Sequence, residues 1–543
     1  MRNLVVASGL TLLVACSSGP AQLPDPPNLV VTSPLRSLIQ SQTGTASLDV
    51  TGTATPGPDG ALIKSVMVNN VAAQVNADGS FSATIQVEPG AALIHTVATD
   101  DKGGVMSDTR SIEAGELRTP GQNIDSAMTA AISPEAFAKI SQVASTMMAQ
   151  ENFTQLLAPM QPMVQKGGSC LGGKVYVDSL TLTNANISLV PVDGGMQFSV
   201  EIDGLNTNGH VDFDVACIGD SDTFQITADA VFVSGTLDVQ PNGMMGFTTT
   251  LQNPDVSFSN LDISASGLPG DILDLIDLTG AMSYIVSKGA EMFMGPMMNQ
   301  ALGALAGPKS LAVAGQNITF QVSPSQLTFT ANEADVALDT SILIQGAANS
   351  AGYVYTNNGM PAMSAGQGLE LGIADDLANE MMSQFAAIGM LNLTQATNGG
   401  TFDSISITPT SAPMISADAA DGTMKLYLPD MTATFTEQGA TVAKAALNVE
   451  LSAQLSPVNN GHGVAMQLGT PVIYLDVLPD VPNNTELSNE DLQKAIQLSI
   501  GGEISSLTAL LGSIPLPAMF GLTMQNVSVA SDEGYVMVKA TLE

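Results

Sequence analysis

The sequence predicts an α+β chain of several domains, and three observations predict it. Through most of its 543 residues, strand-like runs that alternate apolar and polar side chains are punctuated by Gly, Pro, Asn and Asp. A few long passages break this texture with apolar residues at helical spacing. The second half then repeats the order of the first: helix, strands, helix, strands. At 45% hydrophobic residues the chain can build large cores, and its length implies two to four domains.

The chain opens with "MRNLVVASGLTLLVACSS", in which Arg2 precedes an apolar run too short to span a bilayer. Residues 1–15 read as a secretory signal peptide. Leu13-Val14-Ala15-Cys16 resembles a bacterial lipobox, which implies cleavage before Cys16 and lipid attached to that cysteine. Ser17 resembles the sorting pattern for the outer membrane. The alternative is an ordinary signal peptide with a chance cysteine. Residues 16–27, rich in Pro, read as an extended tether. Two cysteines remain, Cys170 and Cys217, and export to an oxidising compartment favours a disulfide over two buried thiols.

The formal charge is −36, yet charged residues make up only 12% of the chain, because Lys and Arg number 15. No Lys or Arg occurs between Lys174 and Lys288, nor between Lys309 and Lys425. Such a chain cannot neutralise a phosphate backbone, which excludes nucleic acid as a partner and argues against anionic membrane surfaces.

Residues 28–115 alternate in short strands with turn signals every 8–12 residues, as in a β-sandwich. The turns at Asp78-Gly79 and Pro89-Gly90 resemble those of bacterial immunoglobulin-like domains. The texture then changes. Ser133 reads as an N-cap with Pro134 at the first helical position, and Phe137, Ile140 and Met147 lie along that helix. A strand-rich stretch follows, then a second helical passage holding Ile272, Met282, Met292, Met294, Met297 and Met298, then strands again. From "GLELGIADDLANEMMSQFAAIGML" the plan repeats. Ile373, Leu377, Met381, Phe385 and Ile388 form one stripe, and a last helix opens at Ser488 and carries Ile496.

The enzyme motifs are missing. His95, His210 and His462 have no His or Cys at metal-ligand spacing, and neither Gly-x-Ser-x-Gly nor a phosphate-cradling loop occurs. Asp212, Asp214, Asp220 and Asp222 lack the spacing of a calcium loop and read as a solvated acidic face, with a cation site as the alternative. The expectation is no enzyme, no cofactor and no metal.

"LELGIADDLANEMMSQFAAIGMLNLT", "GTMKLYLPDMTATF" and the closing "IPLPAMFGLTMQNVSVASDEGYVMVKATL" resemble segments of the family of bactericidal/permeability-increasing protein, lipopolysaccharide-binding protein and the plasma lipid-transfer proteins. Ala374, Asp375 and Asn379 hold the places of its helix-opening turn. The resemblance implies a boomerang of two elongated antiparallel β-barrels, residues 116–315 and 316–543, each wrapped around a long helix. It also implies an apolar pocket between helix and sheet, lined by Phe137, Ile140, Met147, Ile272, Met282, Met292, Ile373, Leu377, Met381, Phe385, Ile388 and Ile496. The departure is electrostatic: lipopolysaccharide-binding members use basic barrel tips, and basic residues are scarce here. The expectation is an outer-membrane lipoprotein that binds a lipid or other apolar ligand, with transfer of that ligand as a further role. The rival is a surface or adhesion protein with packed, ligand-free barrels.

Overall fold

The computed structural model describes residues 25–543 apart from 244–245, 304–306, 314–315, 357–358, 397–401, 418–423, 459–462, 479, 482–483, 486–490, 497–512 and 516–521. The signal peptide, Cys16, most of the tether, His462 and the Ser488 cap lie outside the described residues. The chain divides into two compact units, residues 1–36, 45–87 and 93–110 in one, and 37–44, 88–92 and 111–543 in the other.

The first unit is a β-sandwich. One sheet holds Asn28–Ser33, Ala46–Thr55, Gln74–Val75 and Ser80–Val87. Ile63–Val68 pairs with Gly90–Asp100 in the other. Strict alternation places Leu48, Val50, Phe81 and Ile85 inside, with Val66 and Ile94 buried from the opposite sheet.

The second unit holds three sheets. In the first half of its chain run β1 (Ile124–Ile132), α1 (Pro134–Gln150), α2 (Phe153–Leu157), β2 (Val164–Gly168) and β3 (Leu171–Thr181). They are followed by β4 (Asn184–Val192), β5 (Gly195–Val215), β6 (Ile218–Pro241) and β7 (Phe247–Ser259). The strands β2 to β7 make a curled antiparallel sheet, in which one half of the long β5 pairs with β4 and the other half with β3. The helices α3 (Gly270–Ile276) and α4 (Leu278–Gly303) come next, then β8 (Gly307–Val313), β9 (Gln316–Phe329) and β10 (Ala334–Ile344). Ser133 caps α1 by accepting from the amide of Ala136, with Pro134 in the first turn.

The second half opens with β11 (Leu369–Ala374) and α5 (Asp375–Ala387). A second curled sheet follows, built on Met424–Glu437 and Ala440–Val458. The chain closes with β12 (Met524–Asp532) and β13 (Tyr535–Leu542). A central sheet joins the two halves in the order β8-β9-β10-β1-β11-β13-β12. At its middle, β1 and β11 pair antiparallel, Met128 opposite Ile373 and Ile132 opposite Leu369, and each leads directly into a helix. Each half thus leaves the central sheet through a helix, builds a curled sheet, and returns to the central sheet, the first as β8 to β10 and the second as the β12–β13 hairpin. The division drawn at 315/316 falls within the β8–β9 hairpin, where Val313 pairs with Gln316.

The expected closed barrels around a helix become open, curled sheets. Among the described residues neither strand order returns on itself, and α1 lies along the edge strand β4.

Candidate functional site

The interior of the first curled sheet is set by alternation along its long strands. On β5, Met196, Phe198, Val200, Ile202, Leu205, Val211 and Phe213 are all buried. The facing residues of β6, among them Phe224, Ile226, Val231, Val233 and Leu237, are buried with them. Over this face lie α1, through Phe137, Ile140, Ala144 and Met148, and α4, through Met282, Ile285, Phe293, Met294, Met297 and Met298. On α4 the buried positions fall in adjacent pairs four residues apart, a stripe two columns wide, as a helix between two apolar surfaces requires. Thioethers therefore enter the same core from α1, α4 and the sheet itself, and unbranched polarisable side chains suit a surface that repacks.

The polar residues of α1 and α2 explain why this sheet needs no closing strand. Ser141 Oγ accepts from the amide of Leu189 at 3.1 Å and Ser145 Oγ from that of Ile187 at 2.8 Å, both on the free edge of β4. Thr154 Oγ1 accepts from Leu180, and the Gln161 side chain both accepts from and donates to the backbone of Val177. Side chains of the two helices, and Gln161 just beyond α2, thus replace a neighbouring strand. Two hydroxyls in the region stand unsatisfied. Thr207 Oγ1, on the inner face of β5 between Leu180 and Ile226, and Thr249 Oγ1, opposite Val239, are buried without a hydrogen-bond partner. Sequence reasoning missed both, since a lone Thr in an alternating strand carries no signal.

The stripe helix α5 sits elsewhere. Met382 and Phe385 are buried against Ile318, Ile342, Ile344 and Ala347 of the central sheet and its margin, with Leu377, Met381 and Ile388 half-buried beside them. Its polar side is the more deeply buried: Asp375, Asp376, Asn379, Glu380, Ser383 and Gln384 are all within 4% exposure. Asn379 accepts from the amide of Ile415 and donates to its carbonyl, and Asp375 accepts from Ala417, so the helix grips a strand of the second curled sheet. Gln384 does the same at the end of β10, accepting from Ile344 and donating to Ile342. Asp376 accepts from Thr356, and Glu380 accepts from Gly121. The helix brackets the central sheet to the second curled sheet.

The residues expected to line a pocket therefore separate into three clusters and one position on β11. Phe137, Ile140, Ile272 and Met282 share the core of the first half, with Met147 and Met292 half-buried against it. Leu377, Met381, Phe385 and Ile388 belong to the α5 cluster, and Ile373 is half-buried on β11. Ile496 is buried in the core of the second curled sheet together with Leu492.

Cys170 and Cys217 are joined in a disulfide, each the second residue of a two-residue hairpin turn. The four aspartates nearby divide between the two faces of the sheet. Asp220 and Asp222 stand in register with Phe213 and Val211 on the inner face, and Asp212 and Asp214 point the other way. Among the described residues no group of three or more metal-ligating side chains occurs. His210 stacks on Tyr176 and pairs with Asp178 on the outer face, and His95 binds Thr109 in the sandwich.

Residues 27–115 match the family model described as glucodextranase, domain B. No curated protein matches the chain. Among solved structures the chain is similar to one titled as lipopolysaccharide binding protein, at 15% identity and a TM-score of 0.39, over 78% of this chain and 99% of that one. It is also similar to P47 of Clostridium botulinum E1, at 10% identity and a TM-score of 0.28, over 78% and 100%.

Proposed function

We propose that the protein is a non-catalytic, lipid-anchored binder of a lipid or similar apolar ligand, held at the cell outer membrane through Cys16. In this reading each curled sheet and its helices form the elongated lipid-binding tube implied by the sequence resemblance, and the sandwich and tether act as a spacer. The observation that supports it is the methionine-rich seam between α1, α4 and the first curled sheet. A seam of thioethers can part around an acyl chain at small penalty, because each lost contact is remade with the ligand. Burying a chain gains about 0.8 kcal/mol per CH₂, and leaving a bilayer costs nearly the same, so exchange is close to thermoneutral, as a carrier needs.

The test is mass spectrometry of organic extracts from the soluble protein lacking residues 1–16, purified without detergent from a bacterial periplasm. Ala290 is buried on α4, and Ala290→Phe fills the seam at a cost of about 1–3 kcal/mol. The expected result is a stoichiometric lipid in the parent protein and its loss in the variant, both folded by circular dichroism. No lipid in either, even after incubation with vesicles, would favour the rival reading of a packed structural protein.

A further inference from the structure

One end of the first curled sheet breaks the rule that the rest of it obeys. Along the inner face of β3 and β5 the cross-strand rows are buried, as in Val175 with Val211, while β6 brings Asp222 and Asp220 to the rows next to this end. Two rows further out, Leu171, Val215 and Ile218 form a row in the same face. There Leu171 is 47% and Ile218 72% exposed, the latter the most exposed large apolar side chain among the described residues. An apolar track therefore runs from the methionine seam along β5 and ends in an uncovered lip. The Cys170–Cys217 disulfide ties together the two hairpin tips that carry this lip, and the amide of Cys217 donates to the carbonyl of Cys170.

Between lip and interior lies α3, two turns long. Its Ile272 and Ile276 are buried, and Ile276 packs so closely on Gly173 that a Cβ there would come within 2.6 Å of it. The helix starts at Pro269 with no side-chain cap and ends at Asp277 in a left-handed conformation. The ionisable groups around this end are strongly biased. Asp220 and Asp222 lie on the inner face, the Asp222 carboxylate against Gly267, and Asp271, Asp274 and Asp277 are exposed on or beside α3. Lys166, in register with Gly173, is the one cation on that face of β2 and β3.

We propose that this disulfide-clamped end is the entrance by which a lipid passes between a membrane surface and the seam, and that the lipid it admits has a neutral or zwitterionic head group. The proposal rests on the ligand-binding reading above. The lip receives an acyl chain because it continues the apolar track inward. The disulfide keeps the two tips side by side, so the lip is preformed. The surrounding aspartates repel carboxylate and phosphodiester head groups with a net negative charge, and accept an amine such as that of phosphatidylethanolamine.

The experiment follows uptake of a fluorescent-acyl lipid from vesicles by the soluble protein. It compares the parent, a Leu171→Asp/Ile218→Asp double variant, and Val190→Asp, which alters a comparably exposed side chain on the outer face of β4. All three changes lie at exposed positions, so folding is retained. The entrance predicts at least tenfold slower uptake in the double variant, an unchanged amount bound at equilibrium, and no change for Val190→Asp. Equal rates in all three would overturn it. With matched acyl chains, uptake from phosphatidylethanolamine should exceed uptake from phosphatidylglycerol or of free oleate, and the reverse order would overturn the head-group assignment. No uptake of any lipid by the parent would instead overturn the ligand-binding reading, and the entrance with it.

Discussion

Glu380 is the residue whose chemistry is most at odds with its place. It is buried on α5, one oxygen accepts from Gly121, and the other, Oε2, has no partner. Burial raises its carboxyl from 4.5 to about 7, with the nearby Asp376 adding to the effect. Glu113 is raised to about 7 and Asp335 to about 6, again mainly by burial, and each has one unpartnered oxygen. Between the ordinary value and the raised one, the folded chain keeps a proton that the unfolded chain has lost. For the two glutamates the stabilisation from that proton is complete below about pH 4.5 and disappears as pH rises through about 7, and for Asp335 it is complete below about 3.8 and disappears through about 6. Urea unfolding should therefore show lower stability at pH 8 than at pH 5. Glu380→Gln keeps the shape and the acceptor to Gly121 without the charge, and should recover about 2–3 kcal/mol at pH 8 while changing little at pH 5. An unaltered pH profile in the variant would mean that Glu380 is not one of the groups responsible. Asp430 shows the opposite arrangement: buried, it accepts from the amides of Ser37 and Ser111, the Ser111 hydroxyl and the Asn448 side chain. That carboxylate has the partners its burial requires.

At the scale of elements, the helices of the second unit do two jobs. Their apolar sides fill cores, and their polar sides complete the backbone hydrogen bonding of sheet edges. Replacing both Ser141 and Ser145 with Ala leaves the amides of Ile187 and Leu189 without acceptors. That should cost about 3 kcal/mol in urea unfolding, with far-ultraviolet circular dichroism unchanged. A cost below about 0.5 kcal/mol would show that water satisfies that edge. The first of these jobs was legible in the sequence and the second was not. The stripe of Leu377, Met381 and Phe385 marks a helix whatever it packs against, because periodicity reports local geometry. It does not report the partner, and α5 turned out to lie on the central sheet, held by its polar side. Asn379 entered the sequence reading only through the family resemblance and Gln384 not at all, since their value comes from backbone groups 36 to 42 residues away. The disulfide was legible because two cysteines remain beside Cys16, and the export expected from the leader favours pairing them over two buried thiols. The inner and outer division of Asp212, Asp214, Asp220 and Asp222 was not, since it depends on strand register.

For the whole molecule, the central sheet is the joint. Each half contributes strands to it, and the two halves meet where β1 pairs with β11. A chain cut by a protease site inserted after Gly359 should stay together as two pieces in native buffer and come apart only in denaturant, as size-exclusion chromatography would show. Separation without denaturant would mean that the halves are independent domains. Both halves share the plan of a helix, a curled sheet and a return to the central sheet, and in the first half this plan sets the methionine seam against the curled sheet. The measurement that tests the account most directly is photo-crosslinking with a phospholipid that carries a diazirine near the end of its acyl chain, followed by peptide mass spectrometry. The account predicts adducts on α4, around Met282, Met294 and Met297, and on the inner positions of β5 and β6. Adducts confined to exposed side chains, or none at all, would contradict it.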